Sequence, residues 1–349
     1  MSQGLSKEIL DVNTLEFSLF FEEFDYRREA AQMESIRNNL IKGGLAGTNG
    51  KLCQVPKPFM NLCTKRVLVM EELKGSKLPD SLEKDGQRHA SKLGITFEEL
   101  KRQEEKKTRD LRKEGIVRKG PSSREYEQYI ALLNGKRRLA NARVACYNYS
   151  IGWLPMFEKK SYIGRDTLPM NHAKIIDDLI YVHGHEILVD GEFNGDPHPG
   201  NVLLLGFEEG RPQLGLIDYG QVKKISKEER LRLCKIIVAL ADDNRSEVVK
   251  LVKEAGFKSK SMNDDVIYKF AKVSYDEDNF LLTDGKHIQL YMDDLFAQDP
   301  VEELPTNYIM VGRTSVILRG LAHALNQSRS LAKEWRPIAI SQLKKEGCI

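Results

Sequence analysis

Apolar residues recur at helical spacing along most of the chain, and a few short apolar runs lie between turn residues. The spacing predicts helices over residues 5–42, 97–114, 125–144, 175–185 and 305–327, and two more between 226 and 256. Two runs, 202–205 and 214–217, flank a segment rich in glycine, glutamate and proline, which is typical of paired strands. A β-branched run at 66–70 also predicts a strand, and its plainest interpretation is a buried strand of the core.

The predicted hairpin brings three polar residues towards one end. Asp196 and Asn201 come just before its first strand, and Asp218 comes just after its second. Phosphoryl transfer needs a carboxylate that orients or accepts the hydroxyl proton, and oxygen ligands that hold Mg²⁺ against the phosphates. Asp196 and Asn201 have the D-x-x-x-x-N spacing of protein kinases, and Asp218-Tyr219-Gly220 has the D-F-G form with Tyr for Phe. The ordered pair of motifs therefore predicts a kinase-type site.

The histidines near this segment offer a different kind of site. His183, His185, Asp196 and His198 form a plausible divalent-metal set for a hydrolase. In a helix, however, His183 and His185 point about 200° apart, and the stretch before them has a helical pattern. His198 lies between two prolines, which favours a loop-fixing role. The metal hydrolase is therefore the weaker hypothesis.

Composition and charge limit the choice of partners. The 349 residues are 41% hydrophobic and 30% charged, as in soluble globular proteins, and a net charge of +3 gives no argument for nucleic acid. No apolar run of about 18 residues predicts a transmembrane helix, and Arg313 and Arg319 make residues 308–325 a buried amphipathic helix instead. The first residues show neither a signal-peptide core nor an arginine-rich transit peptide. Five scattered cysteines without C-x-x-C predict reduced, mostly buried thiols.

A charged stretch separates the first part of the chain from the predicted site. Residues 97–114 carry many opposite charges at i,i+4 spacing, which predicts a solvated helix. The basic run Lys136-Arg137-Arg138 lies in the next predicted helix, and a solvated face is favoured for it over a lipid or nucleic-acid patch. We therefore expect a helical insertion from residue 81 to about 145.

The Asp-Pro-His-Pro-Gly-Asn loop at 196–201, followed by Asp218-Tyr-Gly, resembles the UbiB/AarF-type atypical kinases (aarF-domain-containing kinases). Small-molecule kinases of the aminoglycoside phosphotransferase type share part of this loop. The resemblance covers roughly residues 5–80 and 170–340. It implies that Asp196 is the catalytic-loop acid and that Asn201 and Asp218 hold Mg²⁺ and the nucleotide, ATP or ADP.

The resemblance also assigns roles before residue 80. It makes Glu29 the carboxylate of an αC-like helix, whereas the spacing alone favours an exposed helix charge. It places Met70 at the back of a nucleotide pocket and Glu71 at the start of a hinge. Lys84-Asp-Gly-Gln87 matches the family's K-x-G-Q motif, but its position after the hinge indicates coincidence.

The fold implied by the resemblance is α+β and protein-kinase-like, with a truncated N-lobe, a charged helical insertion and a mainly helical C-lobe. Its expected parts are a partial N-lobe at 1–80, the insertion or connector at 81–170, and a C-lobe at 171–349. The implied function is an ATPase or phosphotransferase linked to coenzyme Q or other isoprenoid-quinone metabolism, with biosynthetic proteins or lipids as partners. The implied location is a mitochondrion or a plastid.

Three departures from the family pattern give an alternative. No V-A-x-K motif and no Gly- or Ala-rich loop precede Glu29, so a phosphate-binding lysine is not found. Asn194 stands where the family loop often has His, and the charged stretch is longer than the usual connection. The missing lysine predicts weak catalysis, because it supplies positive charge at the transferring group. The alternative is a pseudokinase scaffold that binds without transfer.

Overall fold

The computed structural model describes residues 25–48, 51–165, 168–206 and 213–349. The α-helices are α1 (Tyr26–Lys42), α2 (Leu78–Leu93), α3 (Phe97–Lys113), α4 (Ser123–Ser150), α5 (His172–His185), α6 (Lys227–Ala241), α7 (Arg245–Glu254), α8 (Asp264–Tyr275), α9 (Ile288–Gln298), α10 (Thr306–Ala324) and α11 (Leu331–Lys345). The strands are β1 (Cys53–Gln54), β2 (Gly75–Lys77), β3 (Glu192–Asn194), β4 (Val202–Leu205), β5 (Gln213–Leu216), β6 (Val222–Lys224), β7 (Lys258–Ser259) and β8 (Val301–Glu303).

The strands form small sheets, and the largest has the order β1-β5-β4-β2. β4 and β5 pair antiparallel, with Val202 opposite Leu216, so the predicted hairpin is confirmed. β2 pairs antiparallel with β4 on the outer side, and β1 pairs parallel with β5. A β-carbon on Gly215 would lie 3.1 Å from the Leu203 side chain, so the strands pack closely at this glycine.

The predicted helices after the hairpin are present. α6 begins at a complete capping box, in which the Ser226 hydroxyl accepts from the Glu229 N–H and the Glu229 carboxylate accepts from the Ser226 N–H. α10 occupies most of the predicted stretch 305–327, and the Arg319 side chain is fully buried in it. Of the described helices, none is long and apolar enough to cross a membrane.

α11 and α5 pack closely around one tryptophan. Trp335 is fully buried, and its indole Nε1 donates to the Ile180 carbonyl at 2.8 Å. A β-carbon on Gly184 would lie 2.5 Å from the same indole ring. Because Gly184 has no side chain, α11 can pack closely on α5. This contact lies in the core, next to the segment that leads to the predicted catalytic loop.

The stretch from residue 81 onwards is helical, as predicted, and is tied to the rest of the chain by polar contacts. α3 and α4 bury none of their residues completely, so the solvated helix at α3 is confirmed. Asp85 of α2 lies 3.1 Å from His172 Nε2 of α5, and Gln327 Nε2 donates to the Pro121 carbonyl at 3.2 Å. The division at residues 80 and 170 stays a prediction.

The strand predicted at 66–70 is absent, whereas the predicted free cysteines are present. Residues 66–70 do not form a strand, because they make only isolated bridges, Thr64 with Val67 and Pro58 with Met70. Two backbone bonds flank the Pro58–Met70 bridge, from the Phe59 N–H to the Val69 carbonyl at 2.8 Å and from the Glu71 N–H to the Lys57 carbonyl at 2.9 Å, and the pairing does not extend into a ladder. The cysteines are all free: Cys53, Cys63 and Cys234 are buried, whereas Cys146 and Cys348 are exposed.

Candidate functional site

The two turns at one end of the β4–β5 hairpin lie against each other. β4 begins directly after Asn201, and the Ile217 N–H after β5 donates to the Asn201 carbonyl at 3.2 Å. The Asn201 side-chain amide donates to Oδ2 of Asp218 at 2.6 Å, while Oδ1 of Asp218 accepts from the Gly220 N–H at 3.0 Å. The structure therefore brings together the two residues predicted to hold the metal.

Tyr219 holds the Asp-Tyr-Gly turn against the core. Its side chain is fully buried, in the place where the D-F-G form has an apolar phenylalanine. Burial raises the pKa of the Tyr219 hydroxyl well above its usual range, and this hydroxyl has no hydrogen-bond partner among the described residues. The ring, rather than the hydroxyl, fixes this side of the Asp-Tyr-Gly turn.

Asn194 connects the predicted catalytic loop to this turn. Its side-chain oxygen accepts from the Asp196 N–H at 2.9 Å, and its side-chain nitrogen donates to the Asp218 carbonyl at 2.9 Å. One amide therefore holds the backbone of both motifs at a fixed separation. The sequence marked Asn194 only as a departure from the family pattern, and the structure shows that this residue holds the loop.

Arg313 of α10 reaches the predicted catalytic aspartate. Its Nη2 donates to Oδ2 of Asp196 at 3.1 Å, and its Nη1 donates to Oε1 of Gln221 at 3.2 Å. The neighbouring Thr314 hydroxyl lies 3.3 Å from the Asn194 carbonyl and 3.1 Å from the Met310 carbonyl of its own helix, so it can donate its proton to either. α10 thus supports the loop from the side opposite the hairpin, and the only sign of this contact in the sequence is an arginine within an apolar helix.

His198 fixes the shape of the loop. The Gly200 N–H donates to its Nδ1 at 3.1 Å, and the Asn201 N–H donates to its carbonyl at 2.9 Å. These bonds close the short 3₁₀ turn at Pro199–Asn201 that leads into β4. The loop-fixing role predicted for His198 is confirmed.

α1 brings Glu29 beside the Asp-Tyr-Gly turn. A β-carbon on Gly220 would lie 3.9 Å from Oε2 of Glu29 and 3.5 Å from Oδ1 of Asp218. The helix is held there by Glu192 of β3, whose Oε2 accepts from the Ser35 hydroxyl at 2.7 Å. Glu29 therefore lies beside the Asp-Tyr-Gly turn, and its role as an αC-like carboxylate stays a prediction.

Met70 and Glu71 lie in a short hairpin-like segment. Met70 is partly buried against the core and bridges to Pro58. The Glu71 N–H donates to the Lys57 carbonyl at 2.9 Å, and its carboxylate accepts from the Lys57 N–H at 3.4 Å. These contacts bind Glu71 to the segment before it, so the back-of-pocket and hinge roles stay predictions.

The structure does not assemble the histidine metal site. His183 is fully buried, and its Nδ1 is hydrogen-bonded to the Leu179 carbonyl at 2.8 Å. His185 is two positions further along the helix, so its side chain leaves α5 in a different direction from that of His183. It lies towards Asp190, with 3.7 Å between His185 Nε2 and Asp190 Oδ1. Within the described ranges, no three His, Cys, Asp or Glu side chains are grouped as a metal would require.

A buried carboxyl group supports the loop from inside the core. Glu186 is fully buried, and its Oε2 accepts from the Asn194 N–H at 3.1 Å. Burial raises the pKa of Glu186 to about 8, the carboxylates of Asp190 and Glu192 act in the same direction, and the hydrogen bond from Asn194 opposes them. Glu186 is therefore mostly protonated at neutral pH, and the sequence did not indicate it.

Comparisons with known proteins agree with this geometry. The ABC1 atypical kinase-like domain matches residues 7–103 and 159–252, which is more than half of the chain. The chain is 35% identical over 86 residues to the probable serine/threonine-protein kinase abkB of Dictyostelium discoideum, covering 24% of this chain and 13% of that protein. It is 29% identical over 98 residues to the AarF domain-containing protein kinase 1 of Gallus gallus, covering 28% and 18%.

Two further matches extend over more of the chain. An uncharacterized protein in the hydrogenase 1 5′ region of Clostridium pasteurianum is 24% identical over 161 residues, covering 45% of this chain and 29% of that protein. The solved complex of Rv3197 with erythromycin from Mycobacterium tuberculosis aligns with 96% of this chain and 61% of that chain, at 14% identity and a TM-score of 0.44. The chain thus spans less than a third of the length of these curated relatives.

Proposed function

Because the chain belongs to the family of ABC1 atypical kinase-like domains, we propose that it binds a magnesium–nucleotide complex at Asn201 and Asp218 and hydrolyses ATP or transfers its phosphoryl group there. The observation that carries the proposal is the 2.6 Å contact between these two side chains, which come from separate motifs. Asp196 is joined to the same turn through one amide, that of Asn194. The three polar groups of a kinase-type site are therefore held by one connected set of hydrogen bonds.

The chemistry of the two proposed ligands fits Mg²⁺. The Asp218 carboxylate and the Asn201 amide oxygen are the hard oxygen donors that this ion takes, usually one or two from protein with the rest from phosphates and water. Bound Mg²⁺ would neutralise charge on the phosphate oxygens. The backbone bond from Gly220 to Asp218 leaves Oδ2 as the carboxylate oxygen that faces Asn201.

Asp196 is proposed to orient the attacking hydroxyl or water and to accept its proton. A carboxylate in this role must lie at hydrogen-bond distance from the acceptor oxygen in the reacting complex. Its backbone is fixed by Asn194 and its side chain by Arg313. Arg313 is therefore a positioning residue that sets the direction of the Asp196 carboxylate.

Substrate and setting are proposed from the family alone. We propose a role in coenzyme Q or related isoprenoid-quinone metabolism, in a mitochondrion or plastid, with pathway proteins or lipids as partners. The support is the motif set at 196–201 and 218–220.

A second candidate is nucleotide binding without turnover. The Arg313 contact with Asp196 favours it, because the guanidinium already occupies Oδ2 of the carboxylate that would have to face an acceptor hydroxyl. Both candidates need the Asn201–Asp218 pair, and only the first needs Asp196 to act as a base. Turnover of ATP by the folded chain decides between them.

We expect Mg²⁺–ADP to raise the melting temperature of the chain and Asp218→Asn to abolish the rise. A ligand that binds only the folded state stabilises it by about 2.7 kcal/mol at a concentration of about 100 Kd, which is several degrees for a chain of this size. The measurement is differential scanning fluorimetry with nucleotide, with and without Mg²⁺. Asp293→Asn, at an exposed position of α9, is the matched control and should keep the full shift. An equal shift in Asp218→Asn would reject the proposed site.

If the chain turns over ATP, we expect Arg313→Ala to lower kcat by about 10- to 100-fold. Without Arg313 the Asp196 carboxylate is held loosely, so it spends less time in the orientation needed for reaction. KM for ATP should change little, since Arg313 contacts Asp196 and Gln221 rather than the proposed metal ligands. Arg313→Lys should recover part of the rate. An unchanged kcat would show that the contact does not position Asp196, and a higher kcat would show that it restrains Asp196.

A further inference from the structure

The segment that follows α4 presents a cluster of large apolar side chains to solvent. We name Tyr149, Trp153, Met156, Phe157 and Tyr162 the aromatic tip; their exposed fractions are 85, 66, 81, 44 and 56%. Single exposed apolar residues are ordinary, but a concentrated group of this size marks an interaction surface. None of these residues takes part in the site around Asp218.

The aromatic tip is held in place at its base. The Asn148 side chain accepts from the Lys160 N–H at 2.8 Å and donates to the Lys160 carbonyl at 2.9 Å. The Asn141 side chain makes the same pair of bonds with Ile163, at 2.8 and 2.9 Å. Asn141 and Asn148 are two helical turns apart, so they lie on one face of α4 and fasten the returning segment along it.

The hydrogen bonds from Asn141 and Asn148 order this segment although its large apolar side chains are not buried. Ordering a loop costs conformational entropy, which is usually offset by burial of the loop's own apolar side chains. Here two asparagines fix the loop while its tryptophan and methionine stay in water. A third bond, from Arg137 Nη1 to the Ile163 carbonyl at 3.0 Å, adds to the same fastening. The geometry is that of a surface prepared to contact something outside the chain.

The charge around the aromatic tip identifies the class of partner. Residues 136–160 contain six basic residues and one acidic residue, whereas the whole chain has a net charge of only +3. One of the basic groups, Lys160, lies over the Tyr147 ring at 4.3 Å, so cations and aromatic rings are interleaved. An apolar aromatic apex flanked by cations is complementary to the interface of a bilayer that contains anionic lipids.

We propose that the aromatic tip inserts into the interfacial region of an anionic lipid bilayer, while the basic residues of 136–160 contact the lipid headgroups. Tryptophan and tyrosine favour this region because it accepts an apolar ring and hydrogen-bonds its polar edge. Lys136-Arg137-Arg138, for which the sequence favoured a solvated face, becomes part of the contact. The proposal is independent of the nucleotide site.

The two tryptophans of the chain make the test direct. Trp335 is fully buried and Trp153 is 66% exposed, so a change in the emission of the folded chain on adding vesicles reports on Trp153. We expect a blue shift and co-sedimentation with phosphatidylcholine vesicles containing about 30% phosphatidylglycerol, and neither with phosphatidylcholine alone. Raising the salt to about 0.5 M should weaken binding, because it screens the headgroup charge.

Matched variants locate the contact. Trp153→Ser/Met156→Ser/Phe157→Ser should lower vesicle affinity by about tenfold or more, whereas Leu281→Ser/Leu290→Ser, at positions 57 and 60% exposed, should not. Lys136→Glu/Lys159→Glu should weaken binding strongly, and Lys333→Glu on α11 should change it little. Thermal melts followed through Trp335 check that each variant is folded.

Three results would overturn the proposal. The first is no binding to the anionic vesicles. The second is equal binding to neutral vesicles, which would remove the electrostatic half of the argument. The third is a concentration-dependent blue shift without vesicles, accompanied by dimers in light scattering, which would make the aromatic tip a contact between copies of the chain.

Discussion

Replacing Trp335 by alanine should lower the free energy of unfolding by about 3–5 kcal/mol, the usual cost of deleting a fully buried tryptophan. Its ring is completely buried where α11 meets α5, and its loss also leaves the Ile180 carbonyl without the Nε1 donor at 2.8 Å. The free energy of unfolding of a domain is only about 5–15 kcal/mol in total, so this substitution should remove a large share of the stability. Urea denaturation at fixed pH gives the difference directly.

The chain contains its own control for this prediction. Trp153→Ala removes the same side chain from an exposed position and should change stability by about 0.5 kcal/mol or less. Trp335→Phe should fall between alanine and wild type, because it keeps most of the apolar contact and loses the hydrogen bond to Ile180. If Trp335→Ala cost no more than Trp153→Ala, the packing of α11 on α5 would not be part of the stabilising core.

The same contact explains a motif that suggested chemistry. His183-Gly184-His185 looked like part of a metal set, yet a β-carbon at Gly184 would strike the Trp335 indole. Burial lowers the pKa of His183 to about 4, so this imidazole is neutral, and it is fixed to the Leu179 carbonyl. The motif serves helix packing, which no spacing between histidines can reveal, because it depends on a residue 151 positions further along the chain.

The parts of the fold predicted from sequence are those with local causes. The α+β, kinase-like fold class is confirmed, and so are the β4–β5 hairpin and the helix predicted after residue 226, which begins at a capping box at Ser226. Each follows from residues close together in the chain, since turn chemistry and capping act over a few positions. The strand predicted at 66–70 was wrong, because β-branched residues form a strand only where a partner continues alongside, and here the pairing is limited to isolated bridges.

The parts of the site that the sequence missed have distant causes. Arg313 meets Asp196 across 117 positions, and Asn194 reaches the Asp218 carbonyl across 24. The D-x-x-x-x-N and D-x-G spacings predict which groups would carry the chemistry. They do not identify what holds those groups, because support comes from whichever helix the fold brings alongside. The roles of Met70 and Glu71 stay predictions, because the contacts of these two residues are with the segment before them and with the core.

Glu186 carries the second large prediction, a loss of stability as the pH rises from about 5 to about 8. Its pKa is raised from an ordinary value near 4.5 to about 8 in the folded chain. Between these values the unfolded chain has released this proton and the folded chain still holds it, so the slope of stability with pH is negative. Below the lower value both states are protonated, and above the upper value both are ionised, so the contribution is constant outside this window.

Glu186→Gln should remove this slope, because glutamine keeps the shape and can still accept from the Asn194 N–H but does not titrate. Relative to the variant, the wild type should lose on the order of 4 kcal/mol across the window, at about 1.4 kcal/mol per pKa unit. Urea denaturation of both proteins from pH 5 to 8.5 measures the difference. Asp190→Asn is a second comparison: burial raises the pKa of Asp190 to about 6, and its carboxylate also raises the pKa of Glu186, so its removal should flatten the lower part of the window and move the upper limit to lower pH.

The position of Glu186 also connects this slope to the site. The carboxyl accepts from the N–H of Asn194, whose side chain holds both Asp196 and the Asp218 carbonyl. Ionising a buried group without a countercharge destabilises what surrounds it, so the loop at residues 194–201 should be the first part to loosen above pH 8. Hydrogen exchange at residues 194–201 should then rise between pH 7 and 9, after correction for intrinsic rates, in the wild type but not in Glu186→Gln. Equal exchange in both proteins would separate the loop from the titration and leave Glu186 with a role in stability alone.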